Sequence, residues 1–342
     1  MSIKTTPLKE LWYSDALIEQ LKTGKSNRQI ARDLFGSDSY ESRIRRFLER
    51  DDVRHMLCEK QPERAMVSNS SMFKTQAKVC FIDIETSFNL GLHFGNYNQN
   101  LGVDHKVRDS HLLSYAYAWN DGEVFGEVLD ADTIQKDVIR SIIEKDPFTD
   151  IDYDMVLKIW HILDNSDCVV AQNGKAFDIK RINSYFLKYD LPLPSPYKVY
   201  DTLSVAKKMF NMSFKSLKFL AKYLGVTQKI DNSGVDLWKS CTLGWSQDDL
   251  DEMLQYNLGD VITLREVYYK LLKYDNDSVN MALYNDESDA LCPTCGSHNI
   301  SPLGKQCATN KRKYEVYRCG DCQSLLRSNT QVGISNKFSK IV

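Results

Sequence analysis

Several absences narrow the field before any motif is read. The 342-residue chain holds no run of 18 apolar residues, which excludes a membrane-spanning helix. Its first residues, MSIKTTPLKELWYSD, offer neither an apolar stretch nor a small-residue cleavage site, so no secretory signal is expected. No internal repeat is visible. No single sign of charge dominates: 44 Lys and Arg face 46 Asp and Glu, for a net charge of -2, which excludes a uniform polycation. Evenly scattered cysteines, the mark of a disulfide scaffold, are also missing. Cys58, Cys80, Cys168 and Cys241 stand alone, whereas Cys292, Cys295, Cys307, Cys319 and Cys322 crowd into 31 residues. That pattern predicts a reducing, intracellular setting with a metal site near the C-terminus.

The neutral total hides an uneven distribution. Residues 1–50 carry 10 basic and 7 acidic side chains, and residues 291–342 carry 8 basic and 2 acidic. The stretch between them is left with 26 basic against 37 acidic, a net of -11. Basic ends around an acidic centre suggest end pieces that bind a polyanion.

Periodicity divides the chain into parts. Residues 1–55 read as helical. Leu17, Ile18 and Leu21 mark one helix, and Ile30, Ala31 and Leu34 a second with Ser26 as its N-cap. A third over 40–50 places Ile44, Phe47 and Leu48 on one face. Residues 56–77 show no period and read as a linker. Residues 78–275 predict strands at 79–85, 111–119, 123–129 and 168–172, with Asn120-Asp121-Gly122 as a hairpin turn. Helices are predicted at 153–164, 176–188, 201–209, 215–223 and 248–272. This order predicts an α/β fold, a mixed sheet flanked by helices. A small cysteine-bearing domain at 288–330 and a tail at 331–342 complete the chain.

Asp83 and Glu85 lie two apart on an apolar strand. Strand side chains alternate, so both carboxylates share one face while Ile82 and Ile84 take the other. Carboxylates held so close repel unless a cation lies between them, and hard oxygen donors suit a divalent metal. Asp178 opens a helix just past a strand, where Asp alone is commonplace. Tyr256 and Asp260 are four apart on a predicted helix and share a face. Each feature alone has an ordinary explanation.

Together, FIDIET, QNGKAFD and YNLGD resemble, in order, the three exonuclease motifs of the DEDD superfamily, in the branch with a motif-three tyrosine. VYDTLSVAKK and SLKFLAKYLGV also fit. The resemblance spans about residues 78–272 and is nearest to proofreading domains of family B polymerases and related stand-alone nucleases. It implies an RNase H-like fold and 3′→5′ exonuclease activity; separately, no polymerase palm or fingers are expected after it. Asp83, Glu85, Asp178 and Asp260 match the metal-binding carboxylates, and Tyr256 the residue that orients the attacking water. Two Mg²⁺ or Mn²⁺ would serve both ends of an in-line displacement. Asn173 and Phe177 are candidates for substrate contact. Asp201 begins a helix, where N-capping is the expected role.

At the C-terminal end, Cys292-Pro-Thr-Cys295 and Cys319-Gly-Asp-Cys322 resemble the knuckles of a zinc ribbon. Four thiolates around one structural Zn²⁺ would staple a domain too small to fold unaided. Gly296 and Gly320 ease the knuckle turns, and Lys311, Arg312 and Lys313 suggest nucleic-acid contact. At the other end, residues 26–50 resemble a helix-turn-helix. Arg43, Arg45 and Arg46 on its last helix are candidates for DNA contact.

The combined expectation is a metal-dependent 3′→5′ exonuclease acting on nucleic acid, single- or double-stranded DNA more than RNA. Such an architecture suits repair, recombination or replication in the cytoplasm of a bacterium or phage-infected host, with replication or recombination proteins as partners. Two alternatives stand beside it: a structure-selective RNase H-like endonuclease, and a DNA-binding adaptor with an inactive nuclease core.

Overall fold

The computed structural model of the chain describes residues 27–35, 75–95, 100, 102–228, 233–276, 278–285, 290–333 and 338. The chain divides into two compact units, Met1–Asn69 and Ser70–Val342. In the first, α1 (Asn27–Phe35) buries Ile30 and Ala31 while Arg28, Gln29 and Arg32 are exposed. The expected helix over 40–50, with Arg43, Arg45 and Arg46, lies outside the described residues, as does most of the expected linker.

The second unit is built on a five-stranded mixed sheet ordered β5-β4-β1-β6-β7. Its strands are β1 (Val79–Thr86), β4 (Leu112–Trp119), β5 (Val124–Val128), β6 (Cys168–Ala171) and β7 (Lys198–Asp201). β1 pairs antiparallel with β4 and parallel with β6, so it sits at the centre. A separate pair, β2 (Leu90–Gly91) and β3 (Lys106–Arg108), precedes β4. The helices are α2 (Ala131–Glu144), α3 (Tyr153–Asp164), α4 (Asp178–Lys188), α5 (Thr202–Met209), α6 (Leu217–Leu224), α7 (Val235–Leu243) and α8 (Gln247–Leu272). The expected α/β fold is observed: a mixed sheet flanked by helices.

Alternation along β1 divides the core in two. Cys80, Ile82 and Ile84 join a cluster with Ile134 of α2, Ile159 of α3 and Ile182 of α4. Val79 and Phe81 face the other way, into a cluster with Val261, Leu264, Val267 and Tyr268 of α8. The polar turn predicted at 120–122 closes β4 onto β5, with Gly122 N–H donating to Trp119 O at 2.7 Å.

Besides the short β2 and β3, elements at 131–144, 198–201 and 235–243 go beyond the expected ones. β7 adds a parallel edge strand where the sequence pattern suggested loop up to a helix at 201. α2 carries Ile134, Val138 and Ile142 at four-residue spacing, yet leaves Ile139, Ile142 and Ile143 exposed. It begins at Asp130, whose carboxylate accepts from Thr133 N–H. α7 is only nine residues long and lies between Gly234 and Gly244, both at positive φ.

A buried polar chain ties the end of β1 to β3 and β4. Arg108, 1% exposed, donates from Nη1 to Thr242 O and from Nη2 to His111 Nε2, and its Nε lies 2.8 Å from Asp137 Oδ2. With Nε2 accepting, His111 Nδ1–H donates to Ser87 Oγ at 2.8 Å. Burial, then the Arg108 charge, hold the His111 imidazole well below its ordinary pKa. The folded state therefore keeps His111 neutral, while the unfolded chain takes up a proton below about pH 6.5. This contribution is fully present above that pH and is lost as pH falls, by up to about 1.4 kcal/mol per unit. His111→Gln should cost about 1–3 kcal/mol at pH 7.5. Its stability should also fall less steeply than that of the wild type between pH 7 and pH 5. Urea denaturation of both proteins across that range checks this.

Candidate functional site

The carboxylates of β1 continue its α8-facing side. Val79 and Phe81 bury that side, and Asp83 and Glu85 extend it into a half-open position at the strand end. Asp83 is in register with Ala116 on β4, and Ala116 with Gly126 on β5. This row of small residues lets α8 cross close to the sheet. A Cβ on Gly126 would meet Leu254 and Leu258 of α8 at 3.0 and 3.1 Å.

The close crossing brings Asn257 and Asp260 to β1. Asn257 is fully buried, and its Nδ2 donates to Asp83 Oδ2 at 2.8 Å. Asp260 lies one turn further on, 2% exposed. Asp83, Glu85 and Asp260 each present a carboxylate oxygen, all within 4.8 Å of one another. Three anionic oxygen donors at that spacing fit a hard divalent cation.

Asp178 approaches from α4 and lines the same cavity, of about 670 Å³. It is 3% exposed, and burial pushes its carboxyl up to about 7. Backbone N–H groups, its own and that of Ile84, pull the other way, and the Asp201 charge adds to the rise. A carboxyl so buried ionises readily only beside a compensating positive charge.

The loop that delivers Asp178 is braced from below. Asn173 adopts positive φ, and its carbonyl accepts from the N–H groups of Ala176 and Phe177. Gly174 packs so closely on β6 that a Cβ there would lie 2.5 Å from Ala171 Cβ. Asp201 caps α5 by accepting from Ser204 N–H, and also accepts from the N–H groups of Asn173 and Lys175, at 3.0 and 3.2 Å. The expected N-cap thus also holds the motif-two turn.

Asn173 and Phe177 both line the cavity, with Phe177 42% exposed. Tyr256 does not line it. Its ring is 8% exposed, packed edge-on against Trp238 of α7 at 5.7 Å, one turn before Asp260. The opposite wall was not foreseen: Lys207 of α5, and Phe214, Lys215 and Leu217 around the start of α6. Gln172 secures that wall by donating from Nε2 to Lys215 O. Asn257 was also missed, although it sits inside the YNLGD motif. A buried amide between two functional positions is its only sequence signal.

The paired cysteines also come together. Cys292 and Cys322 sulfurs lie 3.6 Å apart, and those of Cys295 and Cys319 3.7 Å. A disulfide would need about 2.0 Å. The edge of a tetrahedron with Zn–S bonds of about 2.3 Å is about 3.8 Å, so the four sulfurs fit Zn²⁺. Hydrogen bonds from Cys292 and Cys295 lower the Cys322 thiol below its ordinary pKa, while the thiols of Cys292 and Cys295 are raised. Asp321 joins the knuckles by accepting from Ser297 Oγ and Asn299 Nδ2. Gly296 takes positive φ, and a Cβ on Gly320 would collide with the Asn299 side chain. Cys307 stands apart on β8 (Ile300–Ala308), and neither it nor His298 belongs to the cluster. β8, β9 (Lys313–Cys319) and β10 (Leu325–Val332) form a three-stranded antiparallel sheet. Lys311, Arg312 and Lys313 are exposed at the turn between β8 and β9.

Residues 126–272 match the family described as the RNase H superfamily. The matched span includes Asp178, Tyr256 and Asp260 and begins after the strand that carries Asp83 and Glu85. A comparison with curated protein sequences found no match. Among solved structures, the chain is similar to the family B DNA polymerase from the hyperthermophilic archaeon Pyrobaculum calidifontis. The identity is 14% and the TM-score 0.40, over 58% of this chain and 25% of that one. The chain therefore spans about a quarter of that polymerase's length.

The bracing by Asp201 is open to test. Asp201→Ala removes one cap and two further charge-assisted hydrogen bonds, and should lower stability by about 2–4 kcal/mol. Asp201→Asn keeps an acceptor oxygen and should lose less. Chemical denaturation of the three proteins measures the order.

Proposed function

We propose that this chain, which carries an RNase H superfamily domain, is a metal-dependent 3′→5′ exonuclease that hydrolyses nucleic acid, DNA in preference to RNA. One observation carries the proposal: three carboxylates from β1 and α8 converge to within 4.8 Å at a cavity that a fourth, Asp178, also lines. Nothing in packing calls for four acids there.

Asp83, Glu85, Asp178 and Asp260 hold two Mg²⁺ or Mn²⁺. When bound, such cations supply an acidified water and charge stabilisation at both ends of a phosphodiester displacement. Asn257 fixes the Asp83 carboxylate by donating to its Oδ2. Phe177 stacks on the terminal base, and Asn173 positions the terminal nucleotide. Lys207 and Lys215, across the cavity, offset phosphate charge. The motif resemblance assigns Tyr256 the water-orienting role, which requires its ring to turn from Trp238 towards the cavity. The four cysteines hold one structural Zn²⁺. The hairpin tip at Lys311, Arg312 and Lys313 contacts the phosphate backbone, as do Arg43, Arg45 and Arg46 of the stretch whose sequence resembles a helix-turn-helix. This architecture suits repair, recombination or replication.

Two measurements test the reading. On 5′-labelled single- and double-stranded DNA and RNA with Mg²⁺ or Mn²⁺, the wild type should produce a ladder that shortens from the 3′ end. Asp83→Ala and Asp260→Ala should each slow it by about 10²–10³-fold. Defined internal cuts would favour the endonuclease alternative, and undiminished activity in both variants would remove the site assignment. Separately, thiol modification beside a chromogenic chelator should release one zinc per chain from the wild type and none from Cys295→Ser. A wild type that releases none would overturn the zinc assignment.

A further inference from the structure

The acidic central block contains one basic island. Residues 202–228 hold five lysines, Lys207, Lys208, Lys215, Lys218 and Lys222, and no Asp or Glu. Within it, α6 turns Leu217, Leu220 and Ala221 into the core. Phe219 and Tyr223, four apart, share its outward face, with rings stacked at 5.8 Å and 23° between planes. Phe214, just before the helix, meets Phe219 edge-on at 5.7 Å. Phe214 is 68% exposed and Tyr223 64%.

These rings form a continuous row. It begins at Phe214, on the wall of the cavity that Asp83, Asp178 and Asp260 also line, and runs outward along α6. Lys218 and Lys222 are exposed on the same helix, one turn apart, and Lys215 lies at its start. Isolated exposed aromatics are ordinary. A row of aromatics leading out of a cavity, with lysines and no acid in the segment, pairs stacking platforms with phosphate-neutralising charge. That pairing is the chemistry of single-strand recognition.

We infer that α6 and the segment before it form a track for single-stranded DNA. Bases stack on Phe214 and Tyr223, with Phe219 setting the spacing between them, and Lys215, Lys218 and Lys222 follow the phosphates. The strand end is thereby fed towards the carboxylates. The inference rests on the proposed nuclease reading and adds to it the strand form and its path.

The test is equilibrium binding of fluorescein-labelled (dT)12 to the full chain in EDTA, read by anisotropy. Phe214→Ala and Tyr223→Ala should each weaken binding about tenfold, the scale of losing one base–aromatic stack. Tyr223→Trp, which keeps a ring, should bind within about threefold of wild type. Lys218→Gln and Lys222→Gln should each lower the salt dependence of log K by about 0.7. Unchanged affinity in Tyr223→Ala and an unchanged salt slope in both lysine variants would overturn the track. Tighter binding of (rU)12 than of (dT)12 would overturn the choice of DNA. The two readings fail separately. Ring-dependent binding by a protein that cleaves nothing keeps the track and removes the nuclease. Cleavage by a protein whose Tyr223→Ala variant binds as wild type does the reverse.

Discussion

The site depends on how closely one helix can approach one sheet. α8 passes over β4 and β5 where Ala116 and Gly126 leave no side-chain bulk. A Cβ at position 126 would lie 2.7 Å from Tyr115 O of β4 and 3.0 and 3.1 Å from the side-chain ends of Leu254 and Leu258, so sheet and helix are both crowded there. The approach that lets Asn257 reach Asp83 thus relies on two small residues that carry no chemistry.

The remaining acid is placed by a different device. Asp178 arrives on a loop whose backbone is committed three times over, through positive φ at Asn173, close packing at Gly174, and the Asp201 carboxylate beneath. Such a loop has little freedom to move when charge enters the cavity. The other lining, around the start of α6, is held by Gln172 on the carbonyl of Lys215 and by Leu217 and Leu220 in the core. The cavity is therefore lined by acidic residues together with aromatic and basic ones.

Much of this was legible in the sequence because the strongest signals were local. The alternation in VCFIDIET placed Asp83 and Glu85 on one face, and the i, i+4 spacing of Tyr256 and Asp260 placed them on one helix. Cysteine spacing foretold which four sulfurs would meet. What stayed hidden was decided by tertiary neighbours. β7 is a strand because β6 offers it an edge, not because its four residues insist on it. α2 shows a helical apolar spacing, but its fold leaves Ile139, Ile142 and Ile143 at the surface. Asn257 looked like a spacer until α8 was laid against β1, and Tyr256 turned out to face Trp238 on a helix that periodicity did not reveal.

The length of α8 has a consequence of its own. Its 26 residues bury Met253 and Tyr256 in one hydrophobic cluster and Val261, Leu264, Val267 and Tyr268 in the other. Asn257 and Asp260 lie between those anchorages. Amide hydrogens along that middle stretch should exchange slowly, because opening it disturbs both halves of the core, even though the cavity beside it is open to solvent.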